Sequence, residues 1–98
     1  MLTIEYGVDG TVAVVGRLDA AQSPAAQGFL DKVQGLVTVD CGRLEYISSA
    51  GLGVLLKTHK RLMSGSSGLK LINVNSHIND IFRYSGFDKL FDIKTMQP

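Results

Sequence analysis

The chain has 98 residues, of which 45% are hydrophobic, enough for one domain with its own core and too apolar for a disordered segment. Ten basic and nine acidic residues leave a formal charge of +1, which gives no support to a nucleic-acid partner, where a concentrated basic face is expected. Cys41 is the single cysteine, so no internal disulfide can form, and it reads as a small near-core residue. The start Met1-Leu2-Thr3-Ile4-Glu5-Tyr6 lacks the basic opening and long apolar stretch of a signal peptide, and no apolar run approaches the ~20 residues needed to cross a bilayer. The expectation is a cytoplasmic protein, one domain over 1–98, with no membrane insertion.

Along the chain, Thr3 to Tyr6 alternates as an edge strand does, and Val8-Asp9-Gly10-Thr11 carries the Asp-Gly signal of a hairpin turn. Thr11 to Val15 is β-branched and apolar, a buried strand broken by Gly16. Ser23-Pro24 reads as a cap followed by proline in the first helical position, and Ala26, Phe29, Leu30 and Val33 share one face of the helix that follows, with Gly35 as its stop. Leu36 to Asp40 is short and nearly all apolar, a third strand expected to be buried on both faces.

The next stretch, Gly42 to Leu56, leads through two serines into an amphipathic helix running from about Ala50 to Met63. Leu52, Leu55, Leu56, His59, Leu62 and Met63 recur at helical spacing, with Lys57, Lys60 and Arg61 mostly on the other side. Ser48 or Ser49 then stands at the N-cap, where a hydroxyl accepts from a free backbone N–H. Plain capping is the first explanation of a serine there; a helix N-terminus also favours negative charge, so the position can carry a phosphate. Ser64 to Gly68 is a turn, Leu69 to Val74 a fourth strand, Ser76 the cap of a helix bearing Ile78, Ile81 and Phe82 and stopped by Gly86, and Phe91 to Met96 a last strand. Strands alternating with helices predict an α/β domain with a mixed, mostly parallel sheet of about five strands and about three to four helices.

The segment from Ser48 to Gly53 resembles the switch segment of STAS domains, the anti-sigma-factor antagonists of bacteria. In that family a strand and short loop lead to D-S-S/T-G-L-G at the start of a helix, and the first serine is phosphorylated. Ser49 matches the acceptor, Ala50 the second small residue, and Gly51, Leu52 and Gly53 the G-L-G. Ser48 stands where many members have Asp, which removes a negative charge beside the acceptor; Ser48 is the alternative acceptor. Gly16-Arg17-Leu18-Asp19 looks like the family's G-E-L-D, Pro24 to Val33 matches its first helix, and Asn73 to Gly86 with Arg83-Tyr84-Ser85-Gly86-Phe87 resembles its last long helix. The resemblance implies helices mostly on one sheet face. It also implies a partner-binding surface of Arg17, Asp19, Asp40, Ser48, Ser49, Ala50, Gly51 and Leu52.

Asp40 closes a buried strand and is expected to point at the switch loop, either as a loop anchor or as a partner contact; Asp19 carries the same two readings, since an Asx turn explains it as well. No carboxylate pair has a spacing for acid–base work, and His59 and His77 have no Cys or His at metal-ligand spacing. No enzyme, cofactor or metal site is therefore expected. The implied function is an anti-sigma-factor antagonist that binds an anti-sigma factor/serine kinase in its unphosphorylated form and is switched off by serine phosphorylation. The alternative is a STAS-like accessory subunit of a lipid-transport ABC system, without a phosphorylation cycle.

Overall fold

A computed structural model describes residues 1–7 and 9–96. Strand β1 (Leu2–Tyr6) and strand β2 (Val12–Leu18) form an antiparallel hairpin in which Tyr6 lies opposite Val12. Val8 of the hairpin turn signal falls outside the described residues, but Asp9 and Gly10 act as expected: the Asp9 carboxylate accepts from Thr11 N at 3.0 Å, and Gly10 has φ +82°, a conformation that glycine adopts without steric cost. Helix α1 (Ser23–Leu30) follows, then strands β3 (Val37–Asp40) and β4 (Leu44–Ile47), helix α2 (Ser49–Met63), strand β5 (Leu69–Val74), helix α3 (Ser76–Ser85), a 3-10 turn over Phe87–Lys89, and strand β6 (Asp92–Thr95).

The sheet has six strands, in the order β1-β2-β3-β5-β6, with β4 beside β2. All pairings other than the hairpin are parallel. Strand β4 is the element that the sequence expectation of five strands lacks. It lies in line with β3 on the same edge of β2: Val12 and Ala13 pair with Val39 and Asp40, while Gly16, Arg17 and Leu18 pair with Leu44, Tyr46 and Ile47. The two pieces are separated by Cys41 to Arg43, where Asp40 turns the chain by accepting from Gly42 N at 2.8 Å.

Gly16 does not break β2. It has φ +99° and lies where an added Cβ would collide with the Met1 carbonyl oxygen, so glycine lets the strand continue while the hairpin closes tightly. The register shifts at this point, since Glu45 has no partner between the Gly16–Leu44 and Arg17–Tyr46 pairs; Glu45 is the extra residue of a bulge.

Alternation along the strands decides where the core lies. Val12, Val14 and Leu18 of β2, Val37 and Val39 of β3, and Leu69 and Leu71 of β5 are buried beneath the helices. Ala13, Val15, Thr38 and Lys70, one residue out of phase, are only half-buried on the other face. Strand β3 is therefore buried on one face, not on both as its apolar sequence predicts, and Leu36, 73% exposed, precedes it. Helix α2 contributes Leu52, Val54, Leu55, Thr58, His59 and Leu62 to the core, while Met63 is exposed rather than on the apolar face. Helix α1 ends at Leu30, before Val33, and Arg61 of α2 closes its C-terminus by donating to the carbonyls of Leu30 and Val33, each at 2.8 Å.

The helix starts also differ by one residue from expectation. Gln22 holds the cap position of α1 without a side-chain bond, and the Ser23 hydroxyl donates back to the Asp19 carbonyl at 2.7 Å. Asn75, not Ser76, caps α3: its side-chain oxygen accepts from Ile78 N at 2.9 Å and its amide donates to the Leu44 carbonyl at 3.1 Å, which ties α3 to β4. Gly86 ends α3 with φ +79°.

Candidate functional site

The two serines have different surroundings. Ser48 is the N-cap of α2, in extended backbone, and its hydroxyl accepts from Gly51 N at 3.1 Å. Its own amide donates to the Leu18 carbonyl at 3.0 Å, and its hydroxyl reaches the same oxygen at 3.4 Å. Ser48 is thus half-buried and engaged with the end of β2. Ser49 is the first residue of α2, exposed to solvent, and its hydroxyl makes no hydrogen bond within the described residues.

Gly51 is buried for a steric reason. A Cβ at this position would lie 2.5 Å from the Leu18 carbonyl oxygen, 2.8 Å from Leu18 Cγ and 2.9 Å from Ile47 Cγ1. Only glycine lets the first turn of α2 sit this close to the sheet end. Leu52 beside it is buried in the core, whereas Ala50 and Gly53 face solvent, and nothing lies within 4 Å of a Cβ added at Gly53. The first turn of α2 has no acidic residue, and Lys60 and Arg61 lie in its last turn. The positive end of the helix therefore has no carboxylate of its own beside Ser49.

The segment Arg17 to Asp19 is brought to the same end of the sheet. Leu18 pairs with Ile47 and receives Ser48, and Arg17 pairs with Tyr46. The Arg17 guanidinium carbon lies 4.4 Å from the centroid of the Tyr46 ring. Asp19 is half-buried, its carboxylate accepts from Gln22 N at 3.1 Å, and its carbonyl accepts from Ser23 N at 3.0 Å, the hydrogen bonding of an Asx turn. Of the sequence-predicted site residues, Arg17, Asp19, Ser48, Ser49, Ala50, Gly51 and Leu52 thus share one end of the molecule.

Asp40 does not join them, and the expectation that it points at the switch loop is not met. It lies at the level of Ala13, five strand positions before Leu18, which at ~3.3 Å per residue is on the order of 15 Å along the sheet. Its carboxylate holds Gly42 N and the Asn73 side-chain amide, at 2.8 and 3.2 Å. The strand that actually leads into the serine pair is β4, so the carboxyl end of β3 stops short of it.

Other reactive groups are engaged elsewhere. His59 Nδ1 accepts from Leu69 N at 3.0 Å, which fixes the ring as a link between α2 and β5, and the ring packs against Phe91 with centroids 4.8 Å apart. The Cys41 thiol is buried, and burial first and the neighbouring Asp40 charge second push its pKa up to about 12. Among the described residues no three His, Cys, Asp or Glu side chains are grouped so as to hold a metal ion. No described helix is long and apolar enough to cross a membrane.

The Arg17–Tyr46 stack is the feature of this end that sequence reasoning missed. Leu44-Glu45-Tyr46-Ile47 holds the signal, two apolar residues flanking a polar and an aromatic one, but the bulge that places Tyr46 opposite Arg17 is visible only in the strand register.

The sequence profile of the family described as Mlab, STAS domain matches residues 3–95. In sequence the chain is 41% identical over 64 residues to BtrV of Bordetella bronchiseptica, a protein assigned as an anti-sigma factor antagonist; the match spans 65% of this chain and 55% of that protein. It is 28% identical over 90 residues to the anti-sigma-B factor antagonist of Listeria monocytogenes, covering 88% of this chain and 79% of that one. In structure it is similar to unphosphorylated SpoIIAA, an anti-sigma factor antagonist, with a TM-score of 0.76 at 19% identity over 97% of this chain and 89% of that chain. A sulfate transporter family protein of Wolinella succinogenes shares the fold, with a TM-score of 0.73 at 15% identity over 84% of this chain and 72% of that chain.

Proposed function

The chain belongs to the STAS domain family, and from that premise we propose that it is an anti-sigma-factor antagonist which docks on an anti-sigma factor/serine kinase and is switched off by phosphorylation of Ser49. The observation that carries this reading is the division of work between the serines. The Ser48 hydroxyl is committed to capping α2 and to the Leu18 carbonyl, whereas the Ser49 hydroxyl is exposed and uncommitted. A kinase reaches the second without unmaking the first. The named relatives support the docking role, and the SpoIIAA fold is known in both an unphosphorylated and a phosphorylated form.

The mechanism is electrostatic. The kinase transfers the terminal phosphoryl group of ATP to Ser49 Oγ, the hydroxyl proton leaves, and ADP is released. The new group carries roughly −1.5 to −2 charges. The first turn of α2 has no carboxylate to repel it, and the free N–H groups of the helix start favour it, so the domain remains folded. The same charge on the exposed surface of Ser49, Ala50 and Gly53 opposes a docked partner by repulsion and desolvation. Ser48 in place of Asp leaves the phosphate as the only negative charge added at this point.

Incubation with a candidate anti-sigma factor/serine kinase and ATP, followed by intact mass and peptide mapping, tests the assignment. One added phosphate on Ser49 is expected. Phosphate found only on Ser48 or Ser66 would overturn it. The fold likeness to a sulfate transporter family protein favours a second reading, an accessory subunit of a transport system such as a lipid-transport ABC system, in which Ser49 carries no phosphate and is a contact residue. Failure of every candidate kinase to modify the chain, together with co-purification of a permease and ATPase, is the outcome of that reading.

A further inference from the structure

We propose that Arg17, stacked on Tyr46, is a preformed anion-binding point that receives an aspartate or glutamate side chain of the docking partner; the inference rests on the docking role proposed above. The bulge at Glu45 shifts β4 by one residue, and that shift brings Tyr46 opposite Arg17. The guanidinium carbon lies over the ring, 4.4 Å from its centroid. The guanidinium N–H groups make no hydrogen bond within the described residues, which leaves donors for a two-pronged bond to a carboxylate. Among the described residues no carboxylate takes that role. Among the described residues the one ion pair is Arg83 with Asp80; the Asp19 carboxylate is engaged with Gln22 N, and Glu45 is the exposed bulge residue without an ion pair. Among the described residues Arg17 is thus an exposed cation without an ion pair, beside the proposed switch.

Its position also decides between a carboxylate from the partner and a phosphate on Ser49. Arg17 and Tyr46 lie on the sheet face opposite the helices, because their neighbours Leu18 and Ile47 face Gly51 of α2. Ser49 begins α2 on the helix-covered side. The end of the sheet separates the two, and a partner that covers Ser49 meets Arg17 only by wrapping over that end. Arg17 then adds a charge-paired contact at one side of the docking surface while Ser49 carries the charge that weakens docking, and the facing residue of the partner is acidic.

The test uses the 15N-labelled full chain, with hexaglutamate as probe and hexaglutamine and inorganic phosphate as controls at constant ionic strength. The Arg17 Nε–Hε signal is expected to shift saturably with hexaglutamate and not with hexaglutamine. Tyr46→Leu is expected to weaken that binding about two- to fivefold, the strength of an exposed cation–π contact. A response confined to Lys57 and Lys60, equal binding of hexaglutamine, or tighter binding of phosphate than of hexaglutamate would overturn the proposal. With the kinase that modifies the chain, Arg17→Glu is expected to weaken docking about tenfold or more while the amide spectrum stays folded. Wild-type docking of Arg17→Glu alongside weakened docking of Ser49→Asp would overturn this inference and leave the switch standing. Undiminished docking of both would overturn the two together.

Discussion

The Gly51 amide donates to the Ser48 hydroxyl at 3.1 Å, and this one bond makes two adjacent serines unequal. Ser48 holds the helix start, and Ser49, one residue on, is left to solvent. Removing either hydroxyl therefore has a different cost. Ser48→Ala is expected to destabilise the domain by about 0.5–2 kcal/mol, the usual cost of losing a side-chain cap. Ser49→Ala is expected to stay within about 0.5 kcal/mol of wild type. Urea unfolding of the two variants checks this; equal losses would show that the cap is shared.

The two glycines near the start of α2 are expected to respond in opposite directions. Gly51→Ala places a methyl group 2.5 Å from the Leu18 carbonyl oxygen, and backbone cannot move aside as a side chain does. A loss of about 1–3 kcal/mol is expected, the scale of overpacking. Gly53→Ala meets nothing within 4 Å and replaces a poor helix former, so a gain of up to about 1 kcal/mol is expected. Thermal melts of both variants suffice, and a destabilised Gly53→Ala would contradict the account. Retained stability with lost docking in Gly53→Ala would place this open position in the interface.

The start of α2 was largely legible in the sequence, because capping, helical periodicity and the Gly51-Leu52-Gly53 run are local signals. The order of helices and the hairpin were legible for the same reason. What escaped is tertiary. Strand β4 has only four residues, and it exists because β2 offers an unpaired edge beyond Ala13 and because Asn75 ties it to α3. Without β4, Asp40 reads as the end of the strand that feeds the switch; with it, Asp40 becomes a turn anchor far from Ser49. Gly16 reads as a breaker, yet its positive φ serves a continuing strand. Arg61 reads as a residue of the helix side away from the apolar face, yet its guanidinium closes the end of α1. Arg17 and Tyr46 are remote in sequence, and only a bulged register makes them neighbours.

The Cys41 thiol gives a pH dependence with a defined sign. Its pKa in the folded state is pushed up to about 12, above the ordinary 9.0. Between those values the unfolded chain loses the thiol proton while the folded chain keeps it. Stability contributed by this group is full below the lower value and falls as pH rises toward the upper one, by at most about 1.4 kcal/mol per pH unit. Wild type is expected to lose stability more steeply than Cys41→Ala when unfolding is measured from pH 9 upward to the onset of global alkaline unfolding. Parallel pH profiles would show that Cys41 is not the group responsible.

The most direct test of the proposed switch is the affinity of a candidate anti-sigma factor/serine kinase for Ser49→Asp and Ser49→Ala, with the melting temperature of each measured in the same buffer. Asp at the helix start is compatible with the dipole, so both variants are expected to stay folded. Ser49→Ala should dock as wild type does and resist modification. Ser49→Asp should dock about tenfold more weakly or worse, because an unpaired charge enters the interface. Docking of folded Ser49→Asp at wild-type affinity would contradict the account, since Ser49 would then not act through charge.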